Sequence, residues 1–171
     1  MTSVLKVDSI QTSAGKPILN SSGSVLQIQS SVSTDASTIT GTSYADIPLM
    51  TATITPTSTS SKILVQVSFG AMGSSGASHG CLMKLFRGST EIGQGASANT
   101  HNVFMQNYLP ATNSYWSISH MFVDSPSSTS SLVYKMQWAM TGSGETFYIN
   151  RRGIDNYARL SSTFLLTEIA G

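Results

Sequence analysis

The sequence is poor in charged residues and nearly free of cysteine. Asp, Glu, Lys and Arg make up 10% of its 171 residues, against about 25% in an average globular chain. With a net charge of +1, the chain shows no basic footprint for nucleic acid or an anionic membrane. The single cysteine, Cys81, excludes an internal disulfide, and its context GCLMKLF predicts a buried strand position.

Long apolar runs and helical periodicity are also missing. No run approaches the ~18 apolar residues of a membrane-spanning helix. The sequence also lacks the positively charged stretch followed by an apolar segment that is typical of a signal peptide. We therefore expect synthesis in the cytoplasm without a cleaved signal and without membrane insertion. No window of about eleven residues has apolar positions at i, i+3, i+4 and i+7, so amphipathic helices are not expected.

Alternation of apolar and polar residues takes the place of helical periodicity. Ser and Thr fill about 30% of the sequence, which suits strands and turns in durable or assembling proteins better than an ordinary metabolic enzyme. Two segments, KILVQVSF and SLVYKMQWAM, alternate strictly and predict one buried face each: Ile63, Val65, Val67 and Phe69, and Leu132, Tyr134, Met136 and Trp138. About eight strands separated by Gly/Ser/Pro turns predict an all-β fold, an antiparallel, jelly-roll-like β-sandwich.

The first 38 residues differ from the rest. Short strand-like pieces, VLKVDSI, KPILN and SVLQIQSSVST, are spaced by Gly, Pro and Ser, and an isolated short strand is marginally stable in water. We predict an extended N-terminal arm over residues 1–38 and a sandwich head over residues 39–171. The arm needs cover from its own head, from sister subunits or from a larger particle. Its docking side chains are predicted to be Val4, Leu5, Val7, Ile10, Ile18 and Leu19.

The sequence shows no constellation for catalysis or metal binding. Its three histidines lack ligand spacing, and no two of its eight acidic residues stand one or two positions apart, as paired carboxylates on one strand face might. There is no G-x-S-x-G elbow and no phosphate-binding glycine loop. We therefore predict no catalytic residues, no metal and no cofactor.

Two polar or aromatic clusters are candidates for ligand contact. The segment NRRGIDNYAR holds Arg151, Arg152 and Asp155; its guanidinium groups could bind an anion or a carboxylated sugar, or could pair with Asp155 or a neighbouring subunit around a hairpin turn. The segment NYLPATNSYW holds Tyr108 and Tyr115. These rings could stack on sugar rings or pack in a core or interface.

Several segments together resemble one family. The opening LKVDSIQTSAGKPILN, the middle segments TPTSTSSKILVQVSF and LMKLFRGSTEIG, and the ending STFLLTEIAG are similar to tail-fibre or virion structural proteins of tailed phages, especially phages of marine cyanobacteria. The resemblance spans nearly the whole chain. It implies no catalytic residues, a location in the virion, and an arm that docks on other tail or capsid proteins.

The resemblance also implies a homotrimer whose head contacts the host surface, for example a surface glycan. A capsid decoration or cement protein that clamps shell subunits is the main alternative. A tailspike enzyme that degrades host polysaccharide is the second, and it needs two carboxylates converging in a groove. A cellular sugar-binding module unrelated to any virus is the third.

Overall fold

The computed structural model describes residue 13 and residues 22–96, 100–112 and 114–171. None of these residues is helical, and accordingly none contributes to a helix that could cross a membrane. The described residues form eleven strands: β1 (Val25–Ser33), β2 (Ser37–Ile39), β3 (Ala45–Ile54), β4 (Lys62–Ser74), β5 (Gly80–Arg87), β6 (Thr90–Ile92), β7 (Met105–Tyr108), β8 (Tyr115–Asp124), β9 (Leu132–Met140), β10 (Phe147–Ile149) and β11 (Ser162–Ile169).

The strands form two antiparallel sheets. In the first sheet, β4 lies between β8 on one side and β11 and β10 on the other, with β1 and β2 beyond them. In the second sheet, β9 lies between β3 and β5, and β6 and β7 pair with the far side of β5. In three places, two short strands that follow each other in the sequence lie end to end and together fill the place of one strand in a sheet. These interrupted pairs are β1 and β2, β6 and β7, and β10 and β11.

Counting interrupted pairs once gives eight strand positions. Their spatial orders are first–eighth–third–sixth in one sheet and second–seventh–fourth–fifth in the other. This is the strand order of a jelly roll, in which two Greek keys are folded over one core. The predicted jelly-roll-like antiparallel sandwich is confirmed.

The core consists of the residues that alternation selects. In β4, Ile63, Val65, Val67 and Phe69 are buried, as are Tyr134, Met136 and Trp138 in β9. Leu132 is half-buried and packs against this cluster. Cys81 is fully buried, and this burial raises the pKa of its thiol. The predicted core positions are therefore confirmed, because period-two alternation in a half-buried strand directly marks the face that leaves water.

The predicted domain boundary at residue 39 is wrong. Strand β1 pairs with β11 over its whole length, from Val25 opposite Ile169 to Ser33 opposite Ser162. Residues 37–39 pair with β10 in the same sheet. The head therefore includes residues 25–38, because β11 offers these segments a sheet edge that is invisible in the local sequence. The six predicted docking residues, Val4, Leu5, Val7, Ile10, Ile18 and Leu19, lie outside the described residues.

Asn150 holds the interrupted edge of the first sheet together. It is fully buried and lies directly after β10, with a φ of 63°. Its side-chain amide donates to the carbonyl oxygens of Ser33 (2.9 Å) and Asp35 (3.0 Å), and its side-chain oxygen accepts from Ser162 Oγ at 2.6 Å. Through these hydrogen bonds, the Asn150 side chain links the end of β1, the segment between β1 and β2, and the first residue of β11.

The sandwich has two distinct ends. At one end, which we call the base, β1 begins, β11 ends, and residues 55–61 and 125–131 connect strands. At the other end, the tip, lie the connections 40–44, 75–79, 109–114 and 141–146. Strand β4 runs from base to tip with 13 residues, which corresponds to a height of about 40 Å.

Glu168 anchors the base. It is fully buried in β11, and its carboxylate accepts hydrogen bonds from Gln27 Nε2 (2.6 Å) and from Thr57 N (2.7 Å) and Oγ1 (2.8 Å). Burial acts to raise the pKa of Glu168, but these hydrogen bonds outweigh it and hold the pKa below its usual value. The carboxylate thereby ties the 55–61 connection to β1 and β11.

Candidate functional site

The predicted anion-binding segment forms a loop that folds over the first sheet. Residues 150–161, which we call the arginine loop, leave the sheet after β10 and return into β11. The loop crosses the tip half of the outer face, above Gly70 and Gly73 of β4. A Cβ atom at Gly73 would lie 2.7 Å from Arg152 Cα, and one at Gly153 would lie 1.8 Å from the carbonyl oxygen of Ser74. Glycine is therefore required where the two backbones touch.

Replacing Gly153 with alanine is expected to displace the arginine loop from β4. The clash is with backbone atoms, which cannot move aside as a side chain can, so we expect a cost of about 2 kcal/mol or more. Gly95→Ala is the matched control, because no atom of the described residues lies within 4 Å of its Cβ position. Thermal unfolding gives the stability, and tryptic cleavage at Arg151 and Arg152 reports the loop. Equal behaviour of the two variants would contradict this packing.

Arg152 and Asp155 form a two-bonded ion pair within the loop. Arg152 Nε and Nη2 donate to the Asp155 carboxylate at 2.5 and 2.7 Å, and Tyr157 N donates to the same carboxylate at 2.9 Å. The bonds from Arg152, followed by that from Tyr157, lower the pKa of Asp155 to about 2. The sequence allowed either anion binding by Arg152 or an ion pair with Asp155 around a turn, and the structure shows the ion pair.

The remaining arginines of the loop are less fully engaged. Arg151 Nε donates to the Arg152 carbonyl oxygen at 3.0 Å, and its guanidinium carbon lies 4.3 Å from the centre of the Tyr148 ring. Arg159 donates to the Asn156 side chain at 3.2 Å. With one carboxylate against three guanidinium groups, the loop carries an excess of positive charge beside aromatic rings.

Tyr115 belongs to the same surface as the arginine loop. It begins β8 opposite Gly73, the residue over which Arg152 lies, and it is partly exposed. Interaction with Tyr115 contributes to the raised pKa of Arg152, after the dominant hydrogen bond with Asp155. The structure thus brings together four of the five predicted contact residues: Tyr115, Arg151, Arg152 and Asp155.

Tyr108 lies on the other sheet. It ends β7 at the tip, opposite Gly80, and its hydroxyl donates to the Ala77 carbonyl oxygen at 2.8 Å. The sequence interpretation also missed two aromatic residues of the loop surface. Tyr148 stacks under Arg151, and Tyr157, which is 80% exposed, stacks with Arg152. The signal available was their position beside the arginines in FYINRRGIDNYAR.

Most described carboxylates are engaged by donors of the same chain. Ion pairs join Asp46 to Lys135, Glu91 to Lys84 and Asp124 to Arg87. Glu145 accepts from the backbone N–H groups of residues 78 and 79. Within the described ranges, no three His, Cys, Asp or Glu side chains are grouped in a way that could hold a metal ion.

Comparisons with known proteins give a structural likeness and no match to a family model or a curated protein. Among solved structures, one titled "Structure of infectious bursal disease virus Gx strain" is similar over 86% of this chain, with 16% sequence identity and a TM-score of 0.35. The similar region covers 39% of that viral chain.

Proposed function

We propose that this chain is a non-enzymatic structural protein of a tailed-phage virion, a trimeric tail fibre or short appendage. Its N-terminal arm docks on other virion proteins, and its head is displayed toward the host surface. The observation that carries the proposal is the separation of the two ends of the sandwich. The chain enters at the base, where Gly23 N donates to the Ala170 carbonyl oxygen at 2.7 Å, and the tip lies about 40 Å away.

This polarity suits a displayed head. Residues 1–21 precede the described strands and carry the apolar docking set predicted from the sequence. They join the head at the base, so an arm that adds strands to a partner leaves the tip connections and the arginine loop unobstructed. The same polarity would suit a cement protein, whose arm clamps shell subunits; the two roles differ in the particle component that the arm contacts.

The arginine loop and Tyr115 are the proposed host contact. Guanidinium groups beside tyrosine rings match a saccharide that carries carboxylate groups, because the arginines offer forked donors and the rings offer stacking faces. Arg151 carries this role in our proposal, since the Arg152 guanidinium already binds Asp155.

The environment of four described carboxylates supports a non-enzymatic role. A glycosidase needs a general acid whose pKa is raised. The pKa values of Asp46, Glu145, Asp155 and Glu168 are instead lowered. For Asp46 the main cause is the hydrogen bond from Gln137, and for Asp155 it is the bond from Arg152. In Glu145 and Glu168, hydrogen bonds outweigh the opposing effect of burial.

Deleting residues 1–21 is the experiment that tests docking. We expect the truncated protein to keep its thermal midpoint, because every described strand remains, and to be absent from virions assembled in infected cells. A full-length variant with Leu5, Val7 and Ile10 all replaced by serine should also fail to incorporate. Replacing Ser3 and Ser9 by alanine is the control and should incorporate normally. Normal incorporation of the truncated protein would refute the docking role.

A further inference from the structure

Between Lys62 at the base edge and the arginine loop, the outer face of the first sheet carries no charge. The strand registers place three rows across β1, β11, β4 and β8. We call these twelve positions the uncharged face, and they are Ile28, Thr167, Leu64 and Val123, then Ser30, Leu165, Gln66 and Met121, then Val32, Thr163, Ser68 and Ser119. Half of them are apolar and the other half carry hydroxyl or amide groups.

Large side chains of this face are open to solvent. Met121 is 60% exposed, Ile28 is 57% exposed, and Val32 and Val123 are each about half exposed. A groove of about 350 Å³ lies over β4, and Met121 of β8 and Leu165 of β11 are among the residues that line it. Contiguous exposed apolar surface rimmed by polar groups is typical of an interaction site in a soluble protein.

The outer face of the second sheet is built differently. Lys135 pairs with Asp46 at 2.9 Å, and Lys84 pairs with Glu91 at 2.8 Å. These four charged side chains project from β3, β9, β5 and β6 on the side away from the core. Antiparallel sheets that face water on one side carry polar and charged residues there. The second sheet follows this rule and the uncharged face of the first sheet does not, so this face has the character of a covered surface.

We propose that the uncharged face is the surface through which copies of this chain associate. A second copy is the occupant that the composition favours, because a face without charge does not repel itself and its Ser, Thr and Gln side chains can both donate and accept hydrogen bonds. A partner selected by charge would find only Lys62, at the base edge of the face. This inference rests on the self-association included in the proposed function and identifies its surface.

The size of the face fits the centre of such an interface. Four strands about 4.8 Å apart, with about six residues along each at 3.3 Å, give a flat area of about 400 Å². Each partner of a standard interface buries about 800 Å² of accessible surface. The uncharged face therefore supplies the apolar centre, and the surrounding polar connections supply the rim.

The test replaces Met121 or, separately, Val123 with glutamate in the full-length chain. Mass is measured by light scattering during gel filtration, at matched concentrations. We expect the unmodified protein to have three times the 18.1 kDa of one chain, about 54 kDa. Each variant should associate at least about 100-fold more weakly, because a carboxylate would be buried in an apolar contact without a partner.

Val133→Glu is the matched control. Val133 is also an exposed valine, at 44%, but it lies on the outer face of the second sheet. It should keep the mass of the unmodified protein, and far-ultraviolet dichroism should show the same fold for all variants. A monomeric unmodified protein, an unchanged mass for Met121→Glu, or dissociation of Val133→Glu would each overturn the assignment. None of these results would affect the docking role, which virion incorporation measures independently.

Discussion

Replacing Asn150 with alanine is expected to lower the free energy of unfolding by about 3–5 kcal/mol. The amide donates to the carbonyl oxygens of Ser33 and Asp35 and accepts from Ser162 Oγ. These groups would be left in a buried site where water cannot readily replace the amide. Alanine would also have to adopt the left-handed φ of 63°, which is strained for a residue whose side chain cannot compensate.

Two further variants separate these contributions in denaturant titrations at one protein concentration. Asn150→Gly loses the same hydrogen bonds as Asn150→Ala but avoids the backbone strain. Its loss in free energy of unfolding should therefore be about 1 kcal/mol smaller than that of the alanine variant. Asn107→Ala is the control, since Asn107 is also buried but its side-chain nitrogen has no hydrogen-bond partner in the part of the chain that the structure describes. A cost for Asn150→Ala no greater than that for Asn107→Ala would show that the amide does not hold this edge.

Replacing Asp124 with alanine is expected to cost about 2–4 kcal/mol. The Asp124 carboxylate, at the base end of β8, accepts from Arg87 Nη1 at 2.7 and 2.8 Å and from the Tyr134 hydroxyl at 2.6 Å. Arg87 and Tyr134 belong to the second sheet, so this network joins the two layers. Without the carboxylate, a buried phenol and a largely covered guanidinium lose their acceptor. Because the Arg87 side chain is partly exposed, water can replace some of this interaction, and the loss in free energy of unfolding should not exceed the upper end of this range.

Asp46→Ala is the matched control for this ion pair. Asp46 pairs with Lys135, but its side chain is 59% exposed, and exposed pairs contribute less than about 1 kcal/mol. Tyr134→Phe should fall between the two, at about 1–2 kcal/mol, because it removes one hydrogen bond and leaves the ion pair intact. Equal losses for Asp124→Ala and Asp46→Ala, measured by denaturant titration, would contradict a stabilising network between the sheets.

The contribution of Tyr134 should also appear in the dependence of stability on pH. Burial, reinforced by the Asp124 carboxylate, raises the pKa of the Tyr134 phenol above its usual value of 10.0. The neutral phenol is therefore favoured in the folded state, and its stabilising effect is present below pH 10 and lost as the pH rises above it. Tyr134→Phe should accordingly flatten the fall in stability above pH 10.

The sequence by itself determined the fold class and the core. In β4 and β9, every second residue is apolar, and those residues are the buried ones, Val65 and Met136 among them. Alternation is a local property, because successive side chains of a strand point to opposite faces whatever the strand pairs with. The absence of helical periodicity and the regular spacing of turn segments were enough to predict an antiparallel sandwich.

Alternation also left a signal in β8 that sequence reasoning did not use. In YWSISHMFVD, Ile118 and Phe122 mark the inner face, but Met121 and Val123 place apolar side chains on the outer face as well. A strand that is apolar on both faces is expected to be covered on both. The sequence could have indicated a second covered surface, although not which strands share it.

Only the tertiary structure decided how the strands are paired. Strand β1 pairs with β11, which lies some 140 residues later in the sequence. This pairing places the start of the head at residue 25 instead of the predicted residue 39. The three roles of Asn150, the contact between Gly153 and β4, and the charge difference between the two outer faces likewise depend on pairings between distant segments. Such pairings are chosen by the burial and hydrogen bonding of the whole sandwich, and no local window of the sequence contains both partners.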